Sequence, residues 1–140
     1  MIYCNVNKEN GEMLKKFLTN VPSINDIDEE IVENAVIALE ENKIIGCISY
    51  EEFNKLGLIR YFIFKNSPSK LVFKELLSNL EQKVSAFGIE KLIGIACDEP
   101  TKELFVSLGF NNDNKNIYID ETSQENTNFQ NALFMFKELN

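Results

Sequence analysis

The chain contains no histidine. That excludes a Ser–His or Cys–His nucleophile couple and any zinc site built on imidazole. Any catalysis is expected to be free of metal and of histidine. Arginine occurs once, as Arg60, in 140 residues of net charge −8. Phosphate backbones are gripped by clustered Lys and Arg, so no nucleic-acid partner is expected. The acidic balance reads first as solubility and second as an attraction for a cationic substrate such as an amine. The three cysteines, Cys4, Cys47 and Cys97, are odd in number and have no CxxC spacing. All are expected as free thiols, with Cys4 and Cys47 buried in apolar runs. No apolar run approaches the roughly 20 residues of a membrane helix. Met1-Ile2-Tyr3-Cys4-Asn5 lacks the basic-then-apolar pattern of a secretory signal. The expectation is a soluble cytoplasmic protein without a membrane partner.

What remains is the composition of one ordinary globular domain, residues 1–140. Ile2–Val6 reads as a strand, and Asn7 or Asn10 can cap the helix after it. Met13, Leu14, Phe17, Leu18 and Val21 share one helical face, which Pro22 ends. Asp26 or Asp28 can cap a short second helix carrying Ile31 and Val32. Three runs follow: Ala35–Leu39, Ile44–Tyr50 and Leu58–Phe64. They are β-branched and aromatic, and the polar segments Glu40–Lys43 and Asn54–Gly57 join them as hairpins. Their nearly continuous apolar character predicts cover on both faces.

Ser67-Pro68 predicts the start of a long helix, Ser69–Ala86, with Phe73, Leu76, Leu77, Leu80, Val84 and Phe87 in one stripe. Gly88 stops it. Leu92–Ala96 is a short buried strand, and a strand–helix–strand crossover predicts a parallel pair. Pro100 opens a further helix with Leu104, Phe105 and Leu108 inward and Gly109 at its end. Ile117–Ile119 and Ala132–Phe136 read as two last strands, with a polar loop, Asp120–Asn131, between them.

This order, together with Leu76-Leu77 in the long helix and Leu108-Gly109-Phe110 near the end, resembles the GCN5-related N-acetyltransferase (GNAT) superfamily. The resemblance spans nearly the whole chain. It implies an α/β fold of the mixed, α+β kind. The sheet is mostly antiparallel with helices on both faces, in the order β-α-α-β-β-β-α-β-α-β-β. It also implies acetyl-coenzyme A or another acyl-coenzyme A as donor, and an amine on a small molecule or a protein as acceptor.

The family's loop before the long helix carries Gln/Arg-x-x-Gly-x-Gly/Ala, whose backbone N–H groups wrap the coenzyme A pyrophosphate. Matched on Leu76-Leu77, that motif falls on Pro68-Ser69-Lys70-Leu71-Val72-Phe73. Leu71 and Phe73 stand at the glycine positions, and no glycine occurs between Gly57 and Gly88. The phosphate loop is therefore degenerate. Ser67, Ser69 and Lys70 are the remaining phosphate candidates, and their bland alternative is an N-cap with a solvated lysine. The resemblance further implies that the backbone of Phe62, Ile63 and Phe64 pairs with pantetheine. The family's Tyr that protonates the leaving thiolate matches Phe105, which has no proton to give. Cys97 and Asp98 lie nearby, Cys97 being the candidate acid or nucleophile. Glu51 and Glu52 are the candidate bases, and only one can face a given site because strand neighbours alternate. Arg60, inside an apolar strand, needs a partner, with Glu51 or Glu52 the simplest. The alternative to an acyltransferase is a non-catalytic GNAT-like binding or regulatory module.

Overall fold

The computed structural model describes residues 1–22, 24, 26–66, 69–112 and 133–139. The chain order is β1 (Ile2–Asn5), α1 (Lys8–Thr19), α2 (Glu29–Glu33), β2 (Val36–Glu40), β3 (Lys43–Phe53), β4 (Leu56–Phe64), α3 (Lys70–Ser85), β5 (Lys91–Ala96), α4 (Glu99–Ser107) and β6 (Leu133–Glu138). The strands form a six-stranded sheet in the order β1-β2-β3-β4-β5-β6. β1–β2, β2–β3 and β5–β6 pair antiparallel, whereas β4–β5 pair parallel. This is the expected α+β class and element order. The strand expected over 117–119, the loop expected over 120–131, and Ser67, Pro68 and Ala132 lie outside the described residues.

The chain forms two compact units, one of Met1–Glu51 with Ile59–Phe87 and one of Glu52–Leu58 with Gly88–Asn140. In the first, α1 is capped by Asn7, one of the two expected caps. Its start is fixed by a reciprocal capping box: the Asn7 side chain accepts from the Asn10 N–H at 2.9 Å, and that of Asn10 accepts from the Asn7 N–H at 2.6 Å. Leu14 and Leu18 carry the buried face while Met13 stays exposed. They pack with Val32, Ile37 and Cys47, and with Cys4 at the margin. Cys4, Ile37 and Cys47 are register neighbours across β1, β2 and β3 and share a face. Tyr3, Ala38 and Gly46 are the next register line and face the other way. That second face is α3's: its Glu75 acts on the Tyr3 hydroxyl, and its Phe73 stacks against Phe64. The doubly apolar strands are thus covered on both faces.

Both hairpins turn on two residues with left-handed backbone, Glu41-Asn42 and Asn54-Lys55. The second turn is shorter than expected. Leu56 and Gly57 belong to β4, and a Cβ on Gly57 would approach Leu92 Cδ2 to 3.0 Å. Gly57 is there for close packing. The α3 stripe is Val72, Leu76, Leu77, Leu80 and Val84. Phe87 is 67% exposed, because the helix ends at Ser85 and Phe87 leaves its register.

In the second unit, Leu56–Leu58 pair with Lys91–Ile93. Leu58, Ile93 and Phe136 form its core, with Phe53, Leu56, Ile95 and Phe134 around them. Asp98 caps α4 with Pro100 in its first turn, accepting from the Thr101 N–H at 2.8 Å, and hydrogen bonding from the Thr101 side chain and backbone holds its carboxyl below the usual range. Phe105 is 3% exposed, lies over Gly94, and meets the Phe110 ring at 5.0 Å.

Two outcomes follow from this packing. A Cβ on Gly94 would lie 2.6 Å from the Phe105 ring, so Gly94→Ala should lower stability by about 1–3 kcal/mol in urea denaturation. Adding Phe105→Leu should recover part of that loss; an unchanged urea midpoint in Gly94→Ala would contradict the contact. The thiols are all free, with Cys97 exposed and Cys47 buried. Burial pushes the Cys47 thiol up to about 12. In native protein an alkylating reagent should modify Cys97 quickly and leave Cys47 untouched, and denaturant should release all three. Equal native rates for Cys47 and Cys97 would refute the placement.

Candidate functional site

Of the expected donor-binding residues, Phe62 and Phe64 at the end of β4 meet α3 through Phe73. Phe62 and Phe64 lie 5.0 Å apart between ring centroids. Phe73 closes on them edge-on, 6.0 Å from Phe62 and 4.1 Å from Phe64. The trio needs Gly46 beneath it, because a Cβ there would sit 2.7 Å from Phe64 Cδ1. Ser69 is the α3 N-cap residue by position, yet its side chain makes no capping hydrogen bond. Its carbonyl accepts from the Val72 N–H at 3.0 Å. Ser69 and Lys70 are both exposed at this helix start. An exposed hydroxyl, an ammonium and the positive end of a helix dipole favour an anion. Leu71, at the first glycine position, is 61% exposed, and Phe73, at the second, is held by the trio. Ser67 lies outside the described residues.

Within β4, Tyr61 has φ 52. A bulky residue in left-handed backbone costs about 1–3 kcal/mol and persists only where its surroundings over-determine it. Three contacts do so here. The ring packs into the α1-side core. The carbonyl accepts from the Cys47 thiol at 3.1 Å. The hydroxyl accepts from the Asp28 N–H at 3.1 Å and donates to the Asp26 carbonyl at 3.5 Å.

Of the candidate bases, Glu51 is bonded to Arg60, Oε1 to Nη1 at 2.5 Å. That answers where Arg60 finds its partner. Both side chains are over a third exposed, so the pair contributes about 0–1 kcal/mol. The Arg60 guanidinium also lies 5.8 Å from the Tyr61 ring centroid. Glu52 is exposed on the next residue of β3. Cys97 is exposed, one residue beyond β5, in the second unit. Phe62 and Phe64 therefore meet Phe73 of α3, Ser69 and Lys70 lie exposed at the start of that helix, Ile63 packs into the α1-side core, and Glu51 stands with Arg60. Sequence reasoning missed the role of Tyr61 and of Gly46. A glycine opposite an aromatic run was the only trace of the latter, and nothing in the sequence marks the Tyr61 backbone.

No protein-family model and no curated protein matches the sequence. Solved structures do match its fold. N-acetylglutamate synthase from Neisseria gonorrhoeae, solved with coenzyme A and L-arginine, superposes with a TM-score of 0.77 at 14% identity. That match covers 99% of this chain but 33% of the other, so the chain spans about a third of that protein's length. An acetyltransferase of the GNAT family from Staphylococcus aureus Mu50 gives 0.73 at 14% identity, covering 99% of each chain. The aminoglycoside 6'-N-acetyltransferase from Enterococcus faecium gives 0.73 at 15% identity, covering 100% of this chain and 98% of that one. This chain has the fold of the GCN5-related N-acetyltransferases.

Proposed function

We propose that the chain is an N-acyltransferase that takes an acyl group, acetyl first of all, from an acyl-coenzyme A and gives it to an amine. One observation carries the reading: Phe62–Phe64 of β4 stands beside an α3 start whose exposed Ser69 and Lys70 suit a phosphate. Relatives in fold solved with coenzyme A, and others named for acetylating aminoglycosides, support the donor and an amine acceptor. Whether the residues present fit coenzyme A divides by its parts. The β4 main chain suits pantetheine because main-chain pairing is indifferent to side-chain change. The pyrophosphate wrap fits less well, since Leu71 and Phe73 replace two glycines.

In the transfer, the amine nitrogen attacks the thioester carbonyl, the C–N bond forms, and the C–S bond breaks to release the thiolate. The ammonium proton then leaves to solvent or to a carboxylate, Glu51 being the candidate in the same unit, and the thiolate takes a proton from solvent. Phe105 supplies none, being an apolar ring packed over Gly94. The protein's contribution is mostly positioning. The buried Phe105 is also the observation that favours the second reading, a GNAT-like module that binds without catalysis.

Acetyl-coenzyme A with a panel of amino acids, aminoglycosides and lysine peptides should release thiol and add one acetyl group to an acceptor. Isothermal titration should find weak binding of acetyl-coenzyme A, tightened in a Leu71→Gly/Phe73→Gly variant despite a helix cost of about 1 kcal/mol per glycine. Because Phe73 joins the aromatic trio, thermal unfolding must first show the variant folded. Sub-micromolar binding by the native sequence would refute the occlusion by Leu71 and Phe73. No binding at millimolar ligand by either protein would leave the non-catalytic module.

A further inference from the structure

Tyr61 joins two segments far apart in sequence. Its backbone is part of β4, immediately before Phe62–Phe64. Its hydroxyl is seated on the connection ahead of α2, taking the Asp28 N–H at 3.1 Å and offering its proton to the Asp26 carbonyl at 3.5 Å. Among its described residues, Ile24 and Ile27 also pack against the core. Asp28 uses its own side chain on the Glu30 and Ile31 N–H groups. The body of α2 is fastened separately, by the Ser49 hydroxyl to the Ile31 carbonyl and by Asn34 Nδ2 to the Tyr50 carbonyl at 3.3 Å. The Tyr61 hydroxyl therefore holds the end of the connection at Asp28, the N-cap residue of α2. In the other direction, the anchored ring keeps the backbone at φ 52, a conformation a tyrosine does not hold unaided. Beyond it, Lys65 donates to the Ile45 carbonyl at 2.9 Å and closes β4 onto β3.

We propose that Tyr61 is a positioning residue for the donor strand: its hydroxyl, docked on Asp26 and Asp28, holds the left-handed backbone that aims Phe62–Phe64. The connection ahead of α2 and the donor strand then move as one body, and a molecule that displaces the connection loosens the strand. The link to the donor rests on the acyltransferase reading; the coupling itself does not.

The test is amide hydrogen exchange on the whole, ligand-free chain, comparing it with Tyr61→Phe, which keeps the ring and removes the hydroxyl. Exchange of the Asp28 amide should rise roughly fivefold, as loss of one net hydrogen bond implies. The Lys65 amide, which does not touch the hydroxyl, should rise with it. Leu139, whose N–H bonds the Glu90 carbonyl at 2.9 Å, should stay as it was. A rise at Asp28 alone would reduce Tyr61 to a local tie and overturn the proposal, as would no change at either. A second readout bears on the reaction: coenzyme A affinity should fall several-fold in Tyr61→Phe at unchanged melting temperature. If the native chain binds no coenzyme A while the paired exchange response is seen, the acyltransferase reading fails and the positioning role stands. If coenzyme A binds equally to both proteins and only Asp28 responds, the positioning role fails and the acyltransferase reading stands.

Discussion

A tyrosine held in left-handed backbone inside a strand is the constraint on which the end of β4 turns. The strain costs free energy and persists only because the residue is fixed at three points: ring in the core, carbonyl on the Cys47 thiol, hydroxyl on the connection ahead of α2. Cys47 is a fully buried thiol whose ionisation burial pushes far up, so it is inert as a nucleophile and useful as a donor. Asp28 spends its carboxylate on capping α2 and keeps its N–H for Tyr61. Beyond Tyr61 the alternation of β4 serves two covers: Ile63 joins the α1-side core, and Phe62 and Phe64 meet Phe73 of α3.

Much of this was readable in the sequence, and the reasons are local. The hairpins were legible because β-branched runs alternate with short polar turns. The second cover was legible because Ile44–Ile48 and Tyr61–Phe64 leave no polar face. The Arg60 pairing was legible because a lone guanidinium in an apolar strand needs an acid, and Glu51 is nine residues away across the hairpin. What escaped was set by tertiary context. Phe87 looked like part of the α3 stripe but lies beyond the last helical turn. Gly57 looked like a turn residue and proved to be a packing contact with Leu92. Tyr61 looked like any aromatic strand residue, and no propensity marks a left-handed one.

The candidate site divides along the same line. Positions defined by backbone survive: the β4 segment and the start of α3 lie together, as the fold requires. Positions defined by side chains do not follow the resemblance, which sets Leu71 and Phe73 at the glycines of a pyrophosphate loop and the buried Phe105 at a phenol. Main-chain recognition is what such drift leaves behind. A protein that reads its donor through the β4 backbone can lose the glycine loop and keep binding, with weaker affinity.

The most direct measurement is therefore a residue-resolved one, a titration of the amide-labelled protein with coenzyme A followed by nuclear magnetic resonance. The account predicts saturable shifts first at the amides of Phe62–Lys65 and Lys70–Val72. No shift in β4 at millimolar ligand, or shifts confined to residues of the second unit, would contradict it.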